Sequence, residues 1–101
     1  MGQTVLQYYI GLAKEGTDTS IGEIMKHLNK NMTLAESKFI DFALGHVDND
    51  EGIKIMERYL FHGTQIQRNY CTLYFGRRGE YLLIRKAYDE GLIDAKQAFS
   101  R

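Results

Sequence analysis

Proline is absent from this chain of 101 residues, and cysteine occurs once, as Cys71. Loops of β-sandwiches and β-barrels commonly contain proline, whereas helices joined by short glycine, asparagine and aspartate corners need none. A lone cysteine cannot form an internal disulfide, which fits a reducing compartment. These two observations together favour an all-α protein that resides in the cytoplasm.

Long apolar runs and net charge are lacking as well. No apolar stretch approaches the roughly 20 residues that a membrane-spanning helix needs, and the start, MGQTVLQYY, lacks the basic and apolar segments of a secretory signal. Thirteen basic residues balance thirteen acidic ones, so the total charge shows no bias towards nucleic acid or membrane. We expect a cytoplasmic protein without membrane association.

The composition itself is that of an ordinary globular protein. Hydrophobic residues account for 44% of the sequence and charged residues for 26%, which is typical of folded rather than disordered chains. A chain of this length can bury a single core without metal ions or disulfides. We therefore expect one helical domain over residues 1–101.

Residues 64–91, TQIQRNYCTLYFGRRGEYLLIRKAYDEG, predict two helices around a Gly-Arg-Arg-Gly corner. Apolar residues of the first helix share one face at the 3.6-residue period: Ile66, Tyr70, Leu73 and Tyr74. Thr64 and Gln67 have the spacing of a capping box, in which each side chain binds the other residue's amide. Gly76 and Gly91 stand where the two helices should end, because glycine readily takes the left-handed conformation.

Weaker copies of this unit occur upstream. A shift of 31 residues aligns Thr33 with Thr64 and Phe42 with Leu73, a shift of 28 aligns the second helices, and a fainter copy lies near the start. One hairpin alone would leave an apolar face in water, so successive hairpins must stack. We expect an all-α fold of six or seven short helices stacked as antiparallel hairpins, either helical-repeat-like or a small orthogonal bundle.

The starts of the other helices follow from cap patterns and acidic first turns. The predicted starts are about Gln3 for the first helix, Ser20 with Glu23 for the second, Thr33 with Glu36 for the third, residues 48–51 for the fourth, and Asp94 with Gln97 for a short last helix. The connections between these helices are short, which makes neighbouring helices antiparallel.

An alternative is a β-hairpin around Arg77 and Arg78. Residues 70–75 and 80–85 are rich in strand-forming types on either side of the glycine-flanked turn. Two helices followed by such a hairpin would suggest a winged-helix DNA-binding protein. The helical period of residues 66–74 and the cap at Thr64, which has no use before a strand, favour helices instead.

Charge is segregated along the chain. Residues 64–88 contain five basic residues and one acid, whereas residues 33–57 contain six acids and two lysines. The candidate binding residues are Arg68, Arg77, Arg78, Arg85, Lys86 and the off-stripe Tyr81. Such a basic corner could contact phosphates of a nucleic acid, an acidic segment of a protein partner, or the acidic half of a second copy. The alternative is an ordinary solvated helix face with pairs such as Arg85 with Asp89.

No catalytic or metal-binding pattern emerges from the sequence. The acids of residues 48–51 start like a calcium loop, but glycine then falls at the fifth position instead of the sixth. Helix capping explains these acids better. Cys71 aligns with an apolar position of the upstream copy, which favours a buried filler over a nucleophile. We expect no catalytic residue, no metal site and no cofactor.

The run RNYCTLYFGRRGEYLLIRKAYDEG resembles the α-helical repeat class, and most nearly a short HEAT-like array. The resemblance covers about residues 33–91 at the level of architecture; the proline and aspartate of that family's turns are missing. It implies a non-enzymatic scaffold that binds partners along one face, and it transfers no functional residue. We expect a small protein-interaction or regulatory module that self-associates. The alternative is a nucleic-acid-binding protein, winged-helix or helical, that uses the corner around Arg77 and Arg78.

Overall fold

The computed structural model describes residues 3–99, and within that range the chain forms seven helices and no strand. They are α1 (Val5–Glu15), α2 (Asp18–Met25), α3 (Leu34–Leu44), α4 (Asp50–His62), α5 (Gln65–Arg77), α6 (Tyr81–Asp89) and α7 (Ala95–Phe99). The predicted all-α fold is confirmed. Among the described residues, no helix combines the length and the apolar character that crossing a membrane requires.

The chain divides into two compact units, Met1–Met56 and Glu57–Arg101. In the first unit, α1 packs against both α2 and α3. In the second unit, α5 packs against α6 and α7, and these two also pack against each other. The expectation of a single domain over residues 1–101 stays a prediction.

Threonine capping boxes open the first, third and fifth helices, at Thr4, Thr33 and Thr64. At Thr64 the amide of Gln67 donates to the threonine hydroxyl over 3.2 Å, and the amide of Thr64 donates to the Gln67 side chain over 2.8 Å. The predicted caps at Thr33 and Thr64 are confirmed. The cap at Thr4 was not predicted, although Gln7 stands three residues later in the same pattern.

The predicted cap of the second helix was wrong. The helix begins at Asp18, before the predicted Ser20 and Glu23, with Thr17 as its N-cap. The amide of Ser20 donates to the Thr17 hydroxyl over 3.1 Å, and the amide of Thr17 donates to the Ser20 hydroxyl over 2.9 Å. Ser20 therefore serves as the third helical residue of a capping box that starts three residues earlier.

The corner after α5 is a Schellman motif, with Gly79 in the left-handed conformation at φ 74°. The amide of Gly79 donates to the carbonyl of Gly76 over 3.1 Å, and the amide of Glu80 donates to that of Phe75 over 3.0 Å. The prediction that Gly76 ends the helix was wrong, because the helix runs on to Arg77. The second glycine of the corner supplies the left-handed residue.

α6 ends in the same way at Gly91, as predicted. Gly91 has φ 76°; its amide donates to the carbonyl of Tyr88 over 2.9 Å, and the amide of Leu92 donates to that of Ala87 over 3.0 Å. The paired bonds again satisfy carbonyls that a helix end leaves without a partner.

The β-hairpin alternative was wrong, and with it the winged-helix form of the nucleic-acid hypothesis. Residues 70–75 lie within α5, and residues 81–85 lie within α6. The cap at Thr64 fixes the start of the first helix and the Schellman motif at Gly79 fixes its end, so strand propensity in between does not decide the structure.

The buried face of α5 differs from the predicted stripe by about one residue. Its buried side chains are Cys71, Thr72, Tyr74 and Phe75, whereas Leu73 is 48% exposed. The 31-residue alignment nevertheless equates positions of like burial, since the apolar Phe42 of α3 is also exposed, at 60%. The 31-residue repeat therefore includes an apolar position that faces solvent, Phe42 or Leu73, in addition to the buried face of each helix.

Candidate functional site

α5, α6 and α7 surround a groove of about 190 Å³ in the second unit. Its lining residues come from all three helices: Thr72, Leu73, Gly76, Arg77, Tyr81, Ile84, Gln97 and Ala98. A more open recess of about 270 Å³ shares Thr72, Leu73 and Gln97 with the groove and adds Asn69 and Lys96. The two hollows together follow the outer side of α5 towards α7.

The floor of the groove is apolar and made of small or buried side chains. Ile84 and Ala98 are almost fully buried, and Gly76 contributes no side chain, which leaves open space on α5. The hydroxyl of Thr72 donates to the carbonyl of Arg68 over 2.9 Å, so the polar atom is satisfied within its own helix. An apolar side chain that entered the groove would therefore contact few polar groups in need of water.

Two large side chains, Leu73 and Tyr81, form the exposed walls. Leu73 is 48% exposed and Tyr81 is 45% exposed, although both lie against the same buried floor. Their neighbouring positions on α5 and α6 follow from the three-residue Schellman corner, which brings the end of one helix to the start of the next. Half-exposed apolar side chains around a buried floor form a surface that another molecule can cover.

Two cations, Arg77 and Lys96, stand at the edges of these hollows. Both residues are exposed, and among the described residues that line either hollow none is acidic. The combination favours a guest that carries a bulky apolar side chain next to carboxylates. At 190 Å³ the groove is smaller than the roughly 300–1,000 Å³ of typical small-molecule sites, so its size suits a single side chain.

Of the six residues proposed from the sequence, Arg77 and Tyr81 line the groove. Three others make contacts elsewhere on the protein surface. Arg78 lies 5.6 Å from the ring centre of Tyr74, Lys86 lies 5.3 Å from that of Phe61, and the Nε of Arg85 lies 3.0 Å from Asp89. Cation–π contacts and exposed ion pairs of this kind leave the charge accessible to a partner.

Arg68, the sixth residue, has a structural role. Its Nε donates to the carbonyl of Leu92 over 2.8 Å, and its Nη1 donates to the carbonyl of Gly63 over 2.7 Å. The guanidinium thereby joins the segment after α6 to the turn before α5. Two of its donors are committed to these main-chain carbonyls, so Arg68 is the least suited of the six to bind a partner.

Sequence reasoning missed Leu73 as a wall of the groove and did not consider Lys96, and it identified Gln97 only as part of the cap of the last helix. A signal for Leu73 was present, because Phe42 occupies the aligned position and is also exposed. Two bulky apolar residues at one outward repeat position are unexpected for a solvated face. No local pattern joins Lys96 and Gln97 to α5, since packing of α7 brings them there.

The remaining reactive groups have structural surroundings. Cys71 is fully buried, and burial raises the pKa of its thiol, which agrees with the predicted filler role. Asp50 and Glu51 lie in the first turn of α4, as the capping interpretation predicted. Over residues 3–99, histidine, cysteine and acidic side chains do not gather in groups of three or more that could hold a metal ion.

Comparison with known proteins found no family model, no curated protein and no solved structure that matches this chain. The HEAT-like resemblance accordingly stays a prediction.

Proposed function

We propose that this chain is a small, non-enzymatic protein-interaction module whose binding surface is the groove between α5, α6 and α7. One observation carries the proposal: an apolar floor lies open between the half-exposed Leu73 and Tyr81, with Arg77 and Lys96 at its edges. The guest is a protein segment with a bulky apolar side chain flanked by acids. A cytoplasmic location fits the lone buried thiol of Cys71.

The apolar walls supply most of the affinity in this proposal. Full burial of a leucine-sized side chain stabilises by about 1.5–3 kcal/mol, and Leu73 and Tyr81 each have close to half of their surface left to bury. Exposed ion pairs contribute only about 0.2–1 kcal/mol each. Arg77 and Lys96 therefore select the sign of the guest's charge and speed association, whereas the apolar contact holds the complex together.

The test is a titration of the ¹⁵N-labelled chain with a synthetic helical peptide that carries one central phenylalanine between glutamates. We expect shifts at the amides of Thr72, Leu73, Tyr81 and Gln97. A peptide with serine in place of phenylalanine should leave them unchanged. Leu73→Ser should abolish the response, whereas Leu82→Ser, which removes an 89% exposed leucine outside the groove, should not.

Nucleic-acid binding is the competing outcome of the same titration. A DNA or RNA oligonucleotide that shifts the amides of Arg77, Arg78 and Lys86, with an affinity that falls steeply as salt rises, would replace the proposed function. A peptide response that persists in Leu73→Ser, or no response at all, would also overturn it.

A further inference from the structure

The first unit presents an apolar side chain of the kind that the groove fits. Phe42 is 60% exposed on α3, and the buried residues of that helix, Ile40 and Leu44, lie on the opposite side of the helical spiral. Phe42 thus projects from the outer face, where its ring meets His46 edge-on at 5.3 Å. A large aromatic side chain in this position is a ready anchor for an interface.

The two units carry opposite net charge. Residues 1–56 contain eight acids and five lysines, which gives −3, whereas residues 57–101 contain eight basic residues and five acids, which gives +3. The chain's arginines all lie after Met56, and arginine pairs well with carboxylates at interfaces. The first unit of one copy is therefore electrostatically complementary to the second unit of another.

Two other exposed apolar residues, Leu82 and Val5, fit the groove less well. Leu82 lies on α6 among Arg85 and Lys86, which would repel the cations at the edges of the groove. Val5 on α1 is smaller, and its helix has no acid in the first turn. Phe42 follows Asp41 directly and precedes the acids of residues 48–51. Lys38 lies on the same helix and carries an adverse charge, but the net charge of the first unit is −3.

We infer that the groove of one copy binds Phe42 on α3 of a second copy, so that the module self-associates through unlike faces. This inference rests on the proposed function and names the occupant of the same groove. Each chain then offers one Phe42 and one groove. A contact between unlike faces joins copies head to tail. The assembly forms a ring if the rotation between neighbouring copies closes on itself, and an open filament if it does not.

The experiment measures the mass of the full chain by sedimentation velocity at concentrations up to about 1 mM. At this concentration even a complex with a binding free energy of only about −4.1 kcal/mol is populated. The wild-type mass should rise with concentration, and added salt should weaken the association. Phe42→Ser and Leu73→Ser should each raise the dissociation constant by about ten-fold or more. Val5→Ser removes another half-exposed apolar side chain and should leave association within about two-fold.

Mixing the two defective variants gives the sharpest readout. The Phe42→Ser chain keeps an intact groove and the Leu73→Ser chain keeps an intact Phe42, so a 1:1 mixture should form a complex of two chains and stop there. All three substituted positions, Val5, Phe42 and Leu73, are exposed, and circular dichroism of each variant checks that it is folded. Association that survives either substitution, or a mixture that stays monomeric, would overturn the inference.

The outcomes also separate this inference from the proposed function. A wild-type chain that is monomeric at every concentration, but whose groove still binds the acidic phenylalanine peptide, keeps the interaction module and removes the second copy as its occupant. Loss of association in Phe42→Ser but not in Leu73→Ser indicates a symmetric contact between two α3 helices and overturns the inference as well.

Discussion

The guanidinium of Arg68 donates from Nε to the main-chain carbonyl oxygen of Leu92 over 2.8 Å, across 24 residues of sequence. Leu92 follows the left-handed Gly91, and its own amide closes the Schellman motif of α6. One side chain near the start of α5 therefore fixes the position of the chain where it leaves α6. Arg68, which its charge placed among the candidate binding residues, instead helps to hold the second unit together.

The first prediction concerns this bridge. Arg68→Ala should lower the free energy of unfolding by at least about 3 kcal/mol, because a hydrogen bond to a charged group contributes about 1.5–3 kcal/mol and two are lost. Arg68→Lys should recover part of the loss, since an ammonium cannot reproduce the planar fork. Arg85→Ala is the control, because its exposed i,i+4 pair with Asp89 is worth only about 0.3–0.5 kcal/mol. Equal urea midpoints for Arg68→Ala and Arg85→Ala would show that the bridge contributes nothing.

The second prediction uses two glycines of α1 with opposite expected effects. Gly16 ends the helix at φ 61°, where its carbonyl accepts from the Nδ2 of Asn49 over 3.2 Å. A β-carbon at Gly16 would overlap the Asn49 side chain, so Gly16→Ala should cost at least the roughly 1–2 kcal/mol of a left-handed alanine. Gly11 lies inside the helix, and nothing within 4 Å obstructs a β-carbon there. Gly11→Ala should therefore stabilise by about 0.5–1 kcal/mol.

Thermal and urea unfolding of these two variants measure both effects. A Gly16→Ala chain as stable as wild type would mean that the segment after α1 relaxes away from Asn49. A Gly11→Ala chain that is destabilised would mean that helix propensity does not govern this part of α1.

The third prediction concerns alkaline pH. Burial, and then the negative charge of Glu36, raise the pKa of Tyr9 above its ordinary value of 10.0. Because the folded pKa exceeds the unfolded one, the contribution of Tyr9 is fully present below pH 10.0 and is lost as the pH rises through the folded pKa. The free energy of unfolding of the wild type should therefore fall above this pH. It should fall less steeply in Tyr9→Phe, because phenylalanine cannot ionise. Parallel curves of unfolding free energy between pH 9 and pH 11 would contradict this.

Much of the fold was predictable because it depends on short-range chemistry. A capping box is a pattern of only four residues, so it predicts the start of a helix from sequence alone. The two predicted boxes, Thr33 with Glu36 and Thr64 with Gln67, both form. The end of α5 shows the limit of such patterns. Gly76 and Gly79 are both able to end a helix, and the choice depends on whether the amide of Glu80 reaches a carbonyl one turn back.

The candidate site was only partly predictable because tertiary packing builds it. Arg77 and Tyr81 were identified from charge and from an off-stripe aromatic, and both line the groove. The position of Leu73 depends on which face of α5 turns towards α6, which differs from the predicted stripe by about one residue. Arg68 has the same charge as Arg77, so sequence alone could not distinguish a bridge to Leu92 from a surface cation.

The last prediction separates stability from binding at Gly76. This residue lies inside α5 and lines the groove, and a β-carbon placed there would meet the Cδ1 of Ile84 at 3.8 Å, an ordinary contact distance. Gly76→Ala should therefore raise the free energy of unfolding by about 0.5–1 kcal/mol, as alanine does in place of glycine in helices. The same methyl group narrows the groove, so the affinity for the acidic phenylalanine peptide should fall.

A larger side chain should extend this trend. Gly76→Leu should remove peptide binding altogether while the chain stays helical, because leucine is a good helix former and the position opens into the groove. Peptide titration and urea unfolding of the same two samples measure the two effects independently. If binding is unchanged in both variants, the guest does not enter between α5 and α6, because any side chain in the groove must compete with a residue at position 76 for the same space.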